Sequence, residues 1–441
     1  MTNNINYILR PEFYGGLLIN RDNFDKWNLN RDDMLYLWFY YHCKNHNLSL
    51  DYMKLLLKYE PVIDKNTIDF SKSNNYLIAK RFISSGNLID DAENLIKHME
   101  NRKTLSAPME LTLYLNDFCQ LDCKFCFMKG KINSKYEMPL EKVKYLIDEF
   151  VDNGVETVSL LGGEPFLHTH IIDILKYLEG KGIHYTVTTN GININKDLLE
   201  CIKDLKNIGI VFSIYSLNDS NKLMMGIHHN KITEKIILAK KYDIKTSINT
   251  VLVNQNVNDI KKVVDFCNNY DIDRYSLAIF SGENRDLDPM SMEKALDLYF
   301  NIKNDKETVK ELDFAIEGCM IYSAIYSEED YYMDTYTKLY SGCQAAQSNI
   351  EIMPDGRALA CVLIDDVFVD NVFDKTFKEI WDSKEYDIIR DYKVDNYICN
   401  NCNYLGFCNG GCFLNKNKTI NGYEKDIDSK CSRLKNVKIS I

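Results

Sequence analysis

Between residues 109 and 280 the chain alternates short apolar runs with longer stretches whose apolar positions recur at helical spacing. Six runs read as strands: 109–115 (MELTLYL), 157–163 (TVSLLGG), 185–191 (YTVTTNG), 209–216 (GIVFSIYS), 246–253 (TSINTVLV) and 274–280 (RYSLAIF). The intervening stretches 139–154, 171–182, 195–205, 232–243 and 258–271 carry apolar residues three and four apart, with Gly or Asp near their ends. Repeated units of this kind predict an α/β fold with a parallel sheet wrapped by helices, wound either as an open sheet or as a barrel. In both forms ligands gather at the C-terminal ends of the strands.

The first hundred residues read differently. Strand candidates NYILRP (6–11) and GGLLINR (15–21) precede helical stretches RDDMLYLWFYYHCKN (31–45) and SLDYMKLLLKYE (49–60), and Gly15-Gly16 suits a hairpin turn. A small winged-helix-like module and a plain packing domain fit this pattern alike. Beyond about residue 330 the periodicity fades and Cys, Gly and Asn take over, as in a domain organised around metal rather than a large core. The expected division is 1–100, 101–330 and 331–441.

A length of 441 residues exceeds what one core supports, and 45% apolar with 27% charged residues marks the chain as globular. Its net charge of −11 argues against nucleic acid and anionic lipid as partners. The N-terminus lacks a basic start followed by an apolar stretch, and no segment has the roughly 18 apolar residues of a membrane span. A cytoplasmic location is therefore expected, and there fourteen cysteines point to metal or redox chemistry instead of disulfides. Cys43, Cys201 and Cys267 fall in helical patterns and read as buried packing residues. The others cluster.

In NDFCQLDCKFCFMKG (116–130), Cys119, Cys123 and Cys126 have C-x3-C-x2-C spacing just after the first strand. Three thiolates on a four-iron cube leave one iron open to a non-protein ligand, as a catalytic zinc keeps a position for substrate. With Phe125 before the last cysteine, this loop resembles that of the radical S-adenosylmethionine enzymes; a zinc loop with a distant fourth ligand is the competing reading. The resemblance implies a partial (β/α)6 TIM-like barrel. It also implies that S-adenosylmethionine chelates the open iron and is reductively cleaved to methionine and a 5′-deoxyadenosyl radical, which abstracts hydrogen. Gly162-Gly163-Glu164-Pro165, closing the second strand, is similar to the family's GGEP motif, which approaches the methionine amino group. Thr188, Asn190, Ser213 and Asn249, at later strand ends, are the implied polar contacts to ribose and carboxylate. His168 and His170 have no ligand-spaced partner and read as surface residues.

The C-terminal cysteines run C343-x12-G356-x4-C361, then C399-x2-C402-x5-C408-x3-C412, then C431. Their order resembles the SPASM domain found in radical S-adenosylmethionine enzymes; a zinc ribbon would account only for Cys399, Cys402, Cys408 and Cys412. The resemblance implies two auxiliary four-iron clusters, hence three [4Fe-4S] clusters in all. Cys343, Cys361 and Cys412 would hold one auxiliary cluster and Cys399, Cys402, Cys408 and Cys431 the other. The former is a thiolate short, and either Cys319 completes it or the position is open to a substrate sulfur.

SPASM enzymes mostly modify peptides or proteins. Sulfatase-maturing members carry Asp directly after the cysteine matching Cys361, where this chain has Val362, and begin their radical cluster nearer the N-terminus. The N-terminal module looks like the leader-recognition element of enzymes that mature ribosomally made peptides, which add the leader as a strand to a sheet edge. The implied function is a radical peptide maturase that installs a thioether or carbon–carbon cross-link in a precursor peptide with a leader, supplied with electrons by a flavodoxin or ferredoxin. Alternatives are another SPASM enzyme acting on a protein or making a peptide-derived redox cofactor, and a non-enzymatic iron–sulfur or zinc protein.

Overall fold

A computed structural model describes residues 6–20, 26–45, 75–76, 88–128, 135–280, 287–317, 343–391, 394–395, 397–402, 410–412 and 431. The stretch 49–60, Cys319, Cys408 and the side chain of Cys43 lie outside the described residues.

All six expected strands form, each ending one to three residues earlier than expected: β5 (Glu110–Tyr114), β6 (Thr157–Leu161), β7 (His184–Thr189), β8 (Ile208–Ser213), β9 (Thr246–Leu252) and β10 (Arg274–Ile279). They pair in parallel in sequence order. The sheet is longer than the sequence indicated. β11 (Asp313–Glu317) adds a parallel strand beyond β10. On the other edge β12 (Asn349–Ile352) lies parallel to β5, followed by β13 (Arg357–Cys361) and β14 (Ile364–Asn371) in antiparallel pairing. The result is a mostly parallel ten-stranded sheet consistent with a partial TIM-like barrel.

The helices fall where apolar spacing placed them. In Leu140–Asp152, for example, Val143, Leu146, Ile147, Phe150 and Val151 are buried, a stripe at the three-and-four spacing of one helix face. Such stripes cover the outward positions of the strands, Val158 and Leu160 or Tyr185 and Val187 among them. The inward positions are of another kind. A closed barrel fills its interior with branched apolar side chains; here several of the corresponding residues are small and polar, with Ser159 Oγ 3.3 Å from Thr186 Oγ1 and Asn249 Nδ2 donating to Ser276 Oγ at 2.9 Å. That leaves a recess inside the sheet.

The N-terminal segment forms a separate sheet from β1 (Asn6–Glu12), β2 (Gly15–Asn20), β3 (Lys26–Leu29) and β4 (Asn75–Tyr76), ordered β3-β2-β1-β4. The hairpin turns at Phe13-Tyr14 and not at Gly15-Gly16, because Glu12 already pairs with Gly15. Gly15 answers a different need: at φ 141° a Cβ there would lie 2.1 Å from the Leu29 carbonyl oxygen. This sheet is bound to the large one by a buried ion pair. Arg10 donates to Glu12 at 2.6 Å and to the carbonyls of Pro108 and Gly154 at 3.2 and 2.9 Å, while Glu12 accepts from the Ser106 amide at 2.7 Å and hydroxyl at 2.8 Å. Among the described residues no helix is long and apolar enough to cross a membrane.

Two cysteine and histidine assignments change. Cys267 is buried as expected, but Cys201 is exposed, on the solvent face of the helix Lys196–Ile202. His170 is at the surface beside Asp173. His168 is not: only 2% of it is exposed, its Nε2 meets the Met138 carbonyl at 2.8 Å, and its Nδ1 accepts the His170 amide at 3.1 Å. A residue that completes a backbone turn on both ring nitrogens has no reason to face solvent.

Candidate active site

The first cysteine loop leaves β5 at the C-terminal end of the sheet and closes over the recess. Cys119, Cys123 and Cys126, together with Phe125, line a cavity of about 560 Å³. Gly162, Gly163, Glu164, Thr188, Asn190, Ser213 and Asn249 line the same cavity, so the polar strand ends singled out in the sequence converge there. Pro165 opens a buried turn, Pro165–Leu167, behind that wall.

The two glycines are required by the loop itself. A Cβ on Gly163 would fall 2.0 Å from the Phe118 carbonyl oxygen, and one on Gly162 would fall 2.7 Å from that of Asn116. Asn116 fastens this approach. Its Oδ1 accepts the Gly163 amide at 3.1 Å and its Nδ2 donates to the Glu164 carbonyl at 2.8 Å. Sequence reasoning passed over Asn116; the only signal was a polar residue where the strand gives way to the cysteine loop.

Glu164 is 1% exposed and accepts the Thr189 hydroxyl at 2.7 Å, the Asn190 amide at 2.9 Å and the Phe166 amide at 3.2 Å. Burial raises its pKa while these donors oppose the rise. The carboxylate is therefore committed to holding the end of β6 against the end of β7. From β7, Asn190 Nδ2 reaches Cys119 Sγ at 3.5 Å, and the Leu121 amide reaches the same sulfur at 3.4 Å. Phe125 stacks on Tyr215 with centroids 5.7 Å apart and planes at 12°.

Burial, followed by the neighbouring Cys126 and Cys119, pushes the Cys123 thiol up to about 12, and burial raises Cys119 as well. Like-charged sulfurs out of water need a cation to become thiolates, which bound iron supplies. Among the described residues no three His, Cys, Asp or Glu side chains gather closely enough to hold one metal ion. A cube, with its thiolates at separate corners, does not require that closeness. The donor set thus suits an iron–sulfur cluster.

Across the cavity lie Glu351, Cys361, Val362 and Leu363 from the C-terminal part of the chain. Cys361 is partly buried near Cys343 and Cys412, both of which act on its thiol after desolvation and Glu351. Cys399 and Cys431 pack into a second small cluster, and Cys402 donates its amide to the Cys399 carbonyl at 2.9 Å. None of the described cysteines is in a disulfide.

Residues 113–267 match the radical SAM superfamily, and residues 343–403 match the SPASM iron–sulfur cluster-binding domain. The chain is a radical SAM enzyme with a SPASM segment. It is similar over nearly its full length to Streptococcus suis SuiB, whose crystal structure bound to precursor peptide SuiA superposes with a TM-score of 0.79 at 26% identity, covering 97% of this chain and 98% of that one. SuiB has also been solved bound to S-adenosylmethionine, at a TM-score of 0.77 and 27% identity over 97% of this chain and 99% of that one. Fe-coproporphyrin III synthase from Methanosarcina barkeri is 24% identical over 66% of this chain and 80% of its own length. The antilisterial bacteriocin subtilosin biosynthesis protein AlbA from Bacillus subtilis is 22% identical over 75% of this chain and 72% of its own.

Replacing Gly163 with Ala tests the close approach. Overpacking of about 1–3 kcal/mol at a backbone that cannot yield corresponds to roughly a 5- to 150-fold loss of S-adenosylmethionine cleavage. The measurement is 5′-deoxyadenosine released under dithionite; an unchanged rate would mean that the Phe118 carbonyl can move aside.

Proposed function

We propose that this enzyme modifies a ribosomally made precursor peptide, installing an intramolecular cross-link at the cavity between the first cysteine loop and the Cys361 segment. The observation that carries this reading is the near full-length likeness to SuiB, which extends through the N-terminal sheet as well as the catalytic core. Cys119, Cys123 and Cys126 would hold the cluster that binds S-adenosylmethionine, and the two C-terminal groupings, with Cys408 in the second, would hold auxiliary [4Fe-4S] clusters. Cys319 stands as the further ligand candidate for the Cys343, Cys361 and Cys412 group. The bound cofactors supply one-electron, hydrogen-abstracting chemistry, with electrons from a flavodoxin or ferredoxin.

What the chain itself contributes is position and exclusion of water. Gly162 and Gly163 let the cysteine loop lie against the end of β6, and Thr188, Asn190, Ser213 and Asn249 present polar groups along one side. The substrate side is largely apolar, from Phe127, Met128, Leu161, Phe280, Val362 and Leu363, which keeps competing solvent from the reacting carbon. Residues 1–100 would bind the leader and so raise the effective concentration of the core peptide at the cavity. A thioether is the favoured bond and a carbon–carbon bond the alternative.

The test is anaerobic reaction of the reconstituted enzyme with S-adenosylmethionine, reductant and a candidate precursor peptide, sought as a short cysteine-bearing open reading frame beside the gene. Loss of two hydrogens from the peptide, with fragmentation showing a closed loop, is the expected product. S-adenosylmethionine cleavage with an unaltered peptide would redirect the search to protein or small-molecule substrates. Deleting residues 1–100 is expected to impair peptide modification far more than uncoupled S-adenosylmethionine cleavage, and equal loss of both would make that segment structural.

A further inference from the structure

Glu351 belongs to no motif that the sequence offered, yet it joins the two sides of the cavity. It sits on β12, opposite Thr112 of β5 on one side and Leu359 of β13 on the other. Its Oε2 accepts the Tyr114 hydroxyl at 2.8 Å and the Val362 amide at 3.0 Å. Tyr114 ends the strand that runs into the first cysteine loop, and Val362 directly follows Cys361. A single carboxylate oxygen thus ties the two cysteine-bearing segments that face each other.

Packing alone does not call for a carboxylate there. Glu351 is 8% exposed, and withdrawing its charge from water has a cost that an apolar residue of similar volume would not incur. Its two donors offset part of that cost, since hydrogen bonds to an ionised acceptor are the stronger kind. The charge has a second effect. Through the Val362 amide the carboxylate lies beside the residue that directly follows Cys361, and net charge and hydrogen bonding around the sulfurs help set the potential of an iron–sulfur centre.

We infer that Glu351 is a positioning residue for the reaction, one whose carboxylate holds the Cys361 turn against β5 and keeps the cluster bound there at a lower reduction potential. This rests on the reading that Cys361 is a cluster ligand. Glu351→Gln keeps an oxygen acceptor for both donors and removes the charge; Glu351→Asp keeps the charge on a shorter arm. Redox titration of the full chain, followed by electron paramagnetic resonance, is the measurement, with S-adenosylmethionine added to mark the signal of the first loop.

In Glu351→Gln, iron content stays at the parent level and one C-terminal signal moves to higher potential, while the S-adenosylmethionine-sensitive signal stays in place. Glu351→Asp lies closer to the parent potential than Glu351→Gln does. An unmoved potential in a fully loaded Glu351→Gln protein would overturn the inference. A parent protein with no iron signal beyond that of the first loop would instead overturn the cluster reading, so the two failures are distinguishable.

Discussion

With alanine at Cys119, Cys123 and Cys126 together, 5′-deoxyadenosine formation is expected to fall to background while iron held by the C-terminal cysteines stays bound. The three thiols line one wall of the cavity, and the described C-terminal cysteines lie around Cys361, across that cavity, and around Cys399. The first loop meets the Cys361 segment through Met128 and Cys126, which pack in one apolar cluster with Leu359 and Val362, and through the Tyr114–Glu351 link, contacts that alanine at the three cysteines leaves largely in place. Iron and acid-labile sulfide assays beside the nucleoside assay decide the matter. Persistent cleavage would remove the loop from the chemistry, and loss of all iron would mean that the clusters assemble interdependently.

The second large effect is on stability. Arg10→Ala leaves Glu12 buried with the Ser106 donors but without its ion-pair partner, and breaking a buried pair in this way typically costs about 3–5 kcal/mol. Replacing both residues, Arg10→Met with Glu12→Leu, should cost less than the single change, because no uncompensated charge remains. The pH dependence has a definite sign. Burial holds the Glu12 carboxyl above its ordinary 4.5 in the folded protein, and losing Arg10 raises it further. The single variant's deficit is then largest at neutral pH and shrinks as acid protonates Glu12. Urea unfolding of the two variants across pH checks this; a deficit independent of pH would place the loss in the carbonyl contacts of Arg10 instead.

The strands and helices of the central region were legible because each buries its outward face under a helix, so apolar spacing records both. β11 was not, since DFAIE is short and follows a region of mixed polarity. The joining of β12 to β5 was invisible for a different reason: parallel pairing across so long a separation leaves no local pattern. The strand-end positions Thr188, Asn190, Ser213 and Asn249 line one cavity with the first cysteine loop, a convergence that motif and strand order made legible. The groups that hold it together, Asn116 and the Tyr114–Glu351 pair, carry no such signature, because a hydrogen bond between distant segments constrains geometry and not spacing. His168 was misjudged on the same ground, its burial being set by the turn around Met138.

The place of β12 bears on the order of events as the chain is made. Thr112 and its partner Asn349 are 237 positions apart, an interval that takes roughly 12 to 47 s at ~5–20 residues per second of synthesis. During that time β5 can pair with β6 but has an open edge toward the place β12 will fill. The strand that carries the first cysteine loop is thus sealed late, by a segment that itself leads to Cys361, and the timing of iron delivery has to accommodate a sheet whose eighth strand arrives after the first seven.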